Sequence, residues 1–150
     1  LELATGSGSA VHFLAEDNVY TGTDISPRLL RRAARRFHDA AFDDAEFYLT
    51  PAEDLPFDDY AFDICLCMLA LNFFDDARCV LGEVARVLTP GGSLMCCVPV
   101  PERNERGSTI RGTLYTEQAL ADLCRSVGMD LQSLPDANGA LLYFRALLLP

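Results

Sequence analysis

An α/β architecture with a mostly parallel sheet is predicted by three features of the 150-residue chain. Short apolar runs alternate with segments of helical period, as in a parallel sheet covered on both faces. The first run, Leu1-Glu2-Leu3, turns through Gly6 and Gly8 into the next segment, the way a buried strand hands over to a helix in doubly wound folds. The last two runs are separated by Pro135-Asp136-Ala137-Asn138-Gly139. A turn-rich connection of about five residues leaves no room for a parallel crossover, so these runs read as a hairpin.

Strands are predicted at residues 1–3, 19–24, 46–49, 62–68, 92–98, 130–134 and 141–147, and helices at 10–16, 27–39, 77–87 and 116–127. Ser26 before Pro27 is an N-cap followed by proline at the first helical position, where a missing NH costs nothing. Within that helix Leu29, Leu30, Ala33, Ala34 and Phe37 recur at spacings of three and four and form one apolar stripe. Arg28, Arg31, Arg32, Arg35 and Arg36 fill the remainder. They read as a solvated face whose cations near the C-terminus match the helix dipole, with an anion site as the alternative. Thr116-Glu117 repeats the capping pattern, and Gly128 stands where a left-handed residue closes that helix. No internal repeat or low-complexity linker divides the chain, and its length suits one core that buries about 68–70% of the unfolded surface.

Half of the residues are apolar and 23% are charged, the balance of a globular chain. No apolar stretch reaches the roughly 18 residues of a spanning helix, and no basic leader precedes an apolar region and cleavage site, so a cytoplasmic protein without membrane insertion is expected. The net charge of −10 opposes a nucleic-acid partner, because affinity for a phosphate backbone rests largely on cationic contacts. A neutral or cationic small substrate fits better. Cys65, Cys67, Cys79, Cys96, Cys97 and Cys124 contain no C-x-x-C pair and no nearby histidine to complete a zinc shell. They read as free thiols acting as small hydrophobes in a reducing compartment, with no metal.

The chemistry concentrates at one edge. Gly6 and Gly8 lack a Cβ, so the backbone there can adopt unusual dihedrals and approach a ligand closely. Asp24 follows 16 residues after Gly8 and closes the second apolar run. A carboxylate at that strand end is placed to accept two hydrogen bonds from a ribose diol. The alternative is an N-capping aspartate, and Ser26 already suits the cap. In a doubly wound sheet a ligand lies across the carboxyl ends of the strands, where the loops at residues 4–9, 24–27, 51–55 and 67–74 gather.

Three more segments follow in order: Ala52-Glu53-Asp54-Leu55-Pro56-Phe57, Phe62-Asp63 opening an apolar run, and Arg86-Val87-Leu88-Thr89-Pro90-Gly91-Gly92 ahead of another. With the opening turn and Asp24-Ile25-Ser26-Pro27, the chain resembles the class I S-adenosylmethionine-dependent methyltransferases of the small-molecule type that includes the quinone-biosynthesis C-methyltransferases. The resemblance runs over nearly the whole chain and is strongest over residues 1–98. It implies a Rossmann-like, three-layer α/β/α domain whose seven-stranded sheet has the order 3-2-1-4-5-7-6, with strand seven antiparallel. It also implies methyl transfer from S-adenosylmethionine to a small-molecule acceptor, whose identity it leaves open. The chain starts within the first strand and without methionine. The expectation is therefore a single domain over residues 1–150 that lacks the start of that strand and the upstream helix usual in this family.

By the same resemblance, Glu2, Ala4, Gly6 and Gly8 match the motif that holds the methionine part of the cofactor, although glycine is usual where Ala4 stands. Asp24 matches the ribose-binding acid and Ile25 the residue packed on the adenine face. The NH of Ala52 and the side chain of Glu53 would meet the adenine edge, where Pro51 replaces an aspartate frequent in the family. Met68 and Leu69 would supply apolar wall. Asn72 is the polar side chain able to orient an acceptor, with a cap for the following helix as the alternative. Tyr115, Arg103, Arg106 and Arg111 fall in the segment that helps to build the acceptor site in relatives. No catalytic base stands out, since His12 and His38 fall on helices away from the active edge. Two rivals remain: a non-catalytic cofactor-binding module, encouraged by Ala4 and Pro51, and a nicotinamide-dependent oxidoreductase. The second is opposed by Val11, which stands where that fingerprint needs a small residue.

Overall fold

The computed structural model describes residues 1–104, 110–135 and 139–149. Its strands are β1 (Glu2–Leu3), β2 (Thr21–Asp24), β3 (Glu46–Leu49), β4 (Phe62–Met68), β5 (Leu88–Pro99), β6 (Met129–Ser133) and β7 (Leu141–Leu148). They form one sheet in the order β3-β2-β1-β4-β5-β7-β6. Pairing is parallel from β3 through β5, and β7 runs antiparallel to both of its neighbours. The predicted hairpin is therefore present; residues 136–138 of its turn lie outside the described residues.

Three α-helices form as predicted, within a residue at each end: α1 (Pro27–Asp39), α2 (Ala77–Val87) and α3 (Glu117–Ser126). Each starts on a side-chain cap. Ser26, Asp76 and Thr116 accept hydrogen bonds from the amides of Leu29, Cys79 and Ala119, satisfying donors that an uncapped first turn leaves orphaned. Helix α1 turns Leu30, Ala33 and Phe37 inward and leaves its arginine face largely exposed.

Alternation along β1 separates the layers, because successive side chains of a strand point to opposite faces. Glu2 faces Tyr20, whose ring lies 4.1 Å from that of Phe37 on α1. Leu3 joins the main core with Val80, Leu81 and Val84 of α2 and Leu120 of α3. The α1 side of β4 is less covered: Ile64 is exposed, and a cavity of about 450 Å³ opens there between Leu14, Tyr20, Phe62 and Leu66. Five cysteines are buried and free, and Cys79 is exposed. Burial pushes the Cys65 thiol up to about 12 and the Cys124 thiol up to about 11, as for thiols that pack as hydrophobes.

Two predicted elements differ. The helix predicted at residues 10–16 is a single 3₁₀ turn, Ser9–His12. No side chain caps it, and of its apolar residues Val11 is buried while Phe13 stands in solvent, so the segment lacks a continuous apolar stripe to extend against the sheet. Strand β5 begins at Leu88 rather than at Gly92. Leu88 pairs with Phe62, and the register then jumps so that Ser93 faces Ile64. The Pro-Gly-Gly turn is thus a bulge inside the strand rather than a connection before it.

Gly8 is fixed by packing. Its φ is +78°, and a Cβ there would come within 2.9 Å of the Ala33 Cα on α1. Backbone cannot yield as a flexible side chain would. Gly8→Ala is accordingly expected to destabilise the protein by about 2–3 kcal/mol, combining left-handed strain with overpacking; urea denaturation measures it.

Candidate functional site

The bend after β1 is a run of left-handed residues, with φ of +50° at Ala4, +58° at Gly6 and +78° at Gly8. It is tied to β2 through Thr5 N, which donates to the Thr23 carbonyl at 2.9 Å. Asp24 completes the tie. One carboxylate oxygen accepts from Gly6 N and the other from Ser26 N, each at 2.8 Å. The same side chain therefore fixes the glycine bend and the β2–α1 turn, and Asp24 is only 8% exposed. Ser26, not Asp24, caps α1. Above the bend there is room: a Cβ on Gly6 would meet nothing closer than the Ala4 carbonyl oxygen at 3.9 Å.

Glu2 lies beneath the bend. One of its oxygens accepts from Thr5 Oγ1 at 2.7 Å and from the Tyr20 hydroxyl, and the two hydroxyls also contact each other. Burial raises the Glu2 carboxyl above its ordinary range, opposed by the hydrogen bonds from Tyr20 and Thr5. Glu2 thus braces the bend from below, and Gly8 packs on α1. Neither forms the open side of the bend as Gly6 does.

The segment after β3 closes the next side. Thr50 N donates to the Asp24 carbonyl at 3.2 Å, and Ala52 is buried. The chain from Leu55 to Asp59 is gripped by Arg86 on α2, whose guanidinium donates to the carbonyls of Leu55 (3.0 Å) and Phe57 (2.7 Å) and to the Asp59 carboxylate (2.9 Å). Glu83 pairs with Arg86 through both oxygens at 2.8 Å and also accepts from Leu55 N at 2.8 Å. A fork of this kind fixes direction as well as distance. Arg86 holds the Glu83 carboxyl below the usual carboxylate range, with Leu55 N adding to the effect against a smaller desolvation cost.

At the carboxyl end of β4, Met68 is followed by Leu69, a non-glycine residue at φ +59° whose NH donates to the Cys97 carbonyl. Ile25, Met68, Leu69 and Phe73 all expose apolar surface. Asn72 lies behind them, and next to it is a cavity of about 620 Å³ that also reaches Pro99, Ile110 and Leu141. Asn72 does not cap α2; Asp76 does.

Other sequence-predicted residues fall elsewhere. Tyr115, just before the α3 cap Thr116, is half-buried against the main core and is absent from the cavity wall. Arg103 is used internally, donating to the Leu141 carbonyl and to Glu117. The Arg111 carbonyl, not its guanidinium, meets Asn72, and Arg106 lies outside the described residues. His38 sits on the surface beside Asp43. The Glu83–Arg86 grip escaped the sequence reading, although Arg86 opens the Arg-Val-Leu-Thr-Pro-Gly-Gly segment. Among the described residues no group of three His, Cys, Asp or Glu side chains is arranged to hold a metal ion, and no helix is long and apolar enough to cross a membrane.

Residues 1–96 match the family model of a methyltransferase domain. A demethylmenaquinone methyltransferase of Tropheryma whipplei is 37% identical over 98 residues, 65% of this chain and 40% of that protein. A demethylmenaquinone methyltransferase of Thermus thermophilus is 36% identical over 124 residues, 80% of this chain and 55% of that protein. The chain therefore spans about half the length of these curated relatives, or less. Among solved structures, a chain from the complex of a methyltransferase with the Haloferax volcanii Trm112 methyltransferase activator superposes with a TM-score of 0.82 at 24% identity, covering 99% of this chain and 81% of that one.

The Glu83–Arg86 grip contributes stability above the unfolded carboxylate pKa, and this is lost as pH falls through the lower folded value. Glu83→Gln should cost about 1 kcal/mol at neutral pH, the low end for a charged pair because solvent reaches it. The gap from the parent should close at acid pH, as urea titrations at the two pH values would show.

Proposed function

The chain belongs to the class I S-adenosylmethionine-dependent methyltransferases, and we propose that it binds S-adenosylmethionine at the Gly6–Asp24 rim and transfers its methyl group to a small-molecule acceptor held beyond β4. The observation that carries this reading is the Asp24 carboxylate, pinned between two backbone amides at the open bend. An ionised carboxylate has about four lone-pair sites. Two are used by Gly6 N and Ser26 N, and two remain for a ribose diol.

The family resemblance supports the remaining roles. Gly6 and Ala4 form the open bend for the methionine part, with Glu2 and Gly8 supporting it from below and behind. Ile25, 75% exposed beside Asp24, offers an apolar face to the adenine. The Ala52 NH and Glu53 border its edge, held in register by the Arg86 grip on the chain just beyond. Met68 and Leu69 wall the space between cofactor and acceptor.

Bound S-adenosylmethionine supplies a methyl group on a positively charged sulfonium, transferable by in-line displacement. This chain's residues would hold the acceptor near attack distance, and orientation of that kind supplies several kcal/mol. Charge disperses when a neutral nucleophile attacks, so the apolar wall of Leu69 and Phe73 suits the step. The acidic net charge supports a small molecule over a nucleic acid as acceptor.

Calorimetry with S-adenosylmethionine, its demethylated product and NAD tests the reading. The sulfur nucleosides should bind and NAD should not. Binding without turnover on any acceptor would favour a non-catalytic module, and NAD binding alone an oxidoreductase. Asp24→Ala should weaken nucleoside binding by about 1.5–3 kcal/mol, the range for lost hydrogen bonds to a charged group; unchanged affinity would remove Asp24 from the site.

A further inference from the structure

Residues 51–54 run between two anchored points. Upstream, Thr50 N donates to the Asp24 carbonyl at 3.2 Å, so the span starts from the residue whose side chain pins the glycine bend. Downstream, Leu55 is held at both ends. Its NH donates to a Glu83 oxygen at 2.8 Å, and its carbonyl accepts from the Arg86 guanidinium at 3.0 Å. Two further bonds close the span from within: Thr50 Oγ1 donates to the Asp54 carbonyl at 2.8 Å, and the Cys79 thiol to the Glu53 carbonyl at 3.5 Å.

The downstream anchor stands on a fixed element, since α2 buries Val80, Leu81, Val84 and Val87 in the core. A guanidinium has five N–H donors, and Arg86 commits all of them. Nε and one Nη2 proton go to the two Glu83 oxygens, the other Nη2 proton goes to the Leu55 carbonyl, and Nη1 serves the Phe57 carbonyl and the Asp59 carboxylate. The rigid fork leaves the chain one position relative to α2.

The span carries a donor and an acceptor that the cofactor reading sets against the base edge. They are the NH of Ala52, a buried residue, and the carboxylate of Glu53, a half-buried one. Adenine offers the complement, a ring nitrogen that accepts and an exocyclic amine that donates. Hypoxanthine, its deaminated form, reverses both, with a ring NH and a carbonyl. Donor and acceptor held at a set spacing can tell the two bases apart, because the wrong one leaves both unpaired. Groups free to shift would re-pair.

Resting on the cofactor reading above, we propose that Glu83 and Arg86 are positioning residues for base discrimination: they hold residues 51–54 in the one arrangement that accepts adenine and rejects its deaminated form. A merely structural tie would weaken every nucleoside alike. A positioning pair changes the ratio between bases.

Calorimetry of the full chain with S-adenosylhomocysteine and with S-inosylhomocysteine, which carries hypoxanthine, tests this. The parent should bind the adenine nucleoside about tenfold more tightly, the scale of one hydrogen bond lost at the base edge. Arg86→Gln should bring the two affinities together by weakening the adenine nucleoside. Arg86→Lys should do the same, because three donors on one ammonium cannot replace a five-donor fork. Asp24→Ala should weaken both nucleosides alike and keep their ratio, since the ribose is common to both. Should the Arg86 variants fail to fold, Glu83→Gln, which breaks the fork and leaves the guanidinium, should still lower the ratio. A parent ratio near one, or a ratio that both Arg86→Gln and Glu83→Gln leave unchanged, would overturn the proposal and keep the pair as a structural tie. A parent that binds neither nucleoside would remove the cofactor reading itself, and the proposal with it.

Discussion

One carboxylate organises the active edge. Asp24 stands at the end of β2 and accepts a backbone hydrogen bond on each oxygen, from the bend after β1 and from the turn into α1. Together with the bond from Thr5 N to the Thr23 carbonyl, it sets the position of Gly6 relative to Ser26. With it, the open side of the bend, the carboxylate and Ile25 share a fixed frame. A site assembled this way is arranged before any ligand arrives, and the cost of ordering it is met in folding rather than in binding.

The rest of the edge is braced from behind. Glu2, Thr5 and Tyr20 form a buried knot under the bend, and the Glu83–Arg86 pair fastens the chain after residue 54 to α2. Ala4 and Leu69 take left-handed backbone without being glycine, at a cost of order 1 kcal/mol each. Both stand at the carboxyl ends of strands, after β1 and β4, and Ala41 and Tyr60 share this backbone elsewhere in the described chain.

Much of this was legible in the residues. The alternation of period, the capping residues and the spacing of Gly6, Gly8 and Asp24 are local signals, and the elements that depend on them appear where expected. The antiparallel last strand was legible because a short turn admits nothing else. The failures share a cause: they depend on contacts between residues far apart in the chain. Of the apolar residues in the first predicted helix, Val11 reaches the core and Phe13 stays in solvent, so no continuous stripe holds a longer helix against the sheet. The reading of Gly8 did not include its packing role, in which the missing Cβ makes room for Ala33 on α1. Arg103 falls in the segment expected to build the acceptor site and is committed to Leu141 and Glu117. Nothing near Asn72 in sequence announces that Arg111 and Thr113, some forty residues on, hold its amide in place.

The central claim is that Asp24 and the bend at Gly6 together grip the sugar of an adenosine cofactor. A crystal structure of the protein soaked with S-adenosylhomocysteine tests it most directly. The account predicts both ribose hydroxyls within hydrogen-bond distance of the Asp24 carboxylate, and the adenine against Ile25. A nucleoside bound elsewhere, or one whose ribose turns away from Asp24 while that carboxylate keeps its two amides, would contradict it.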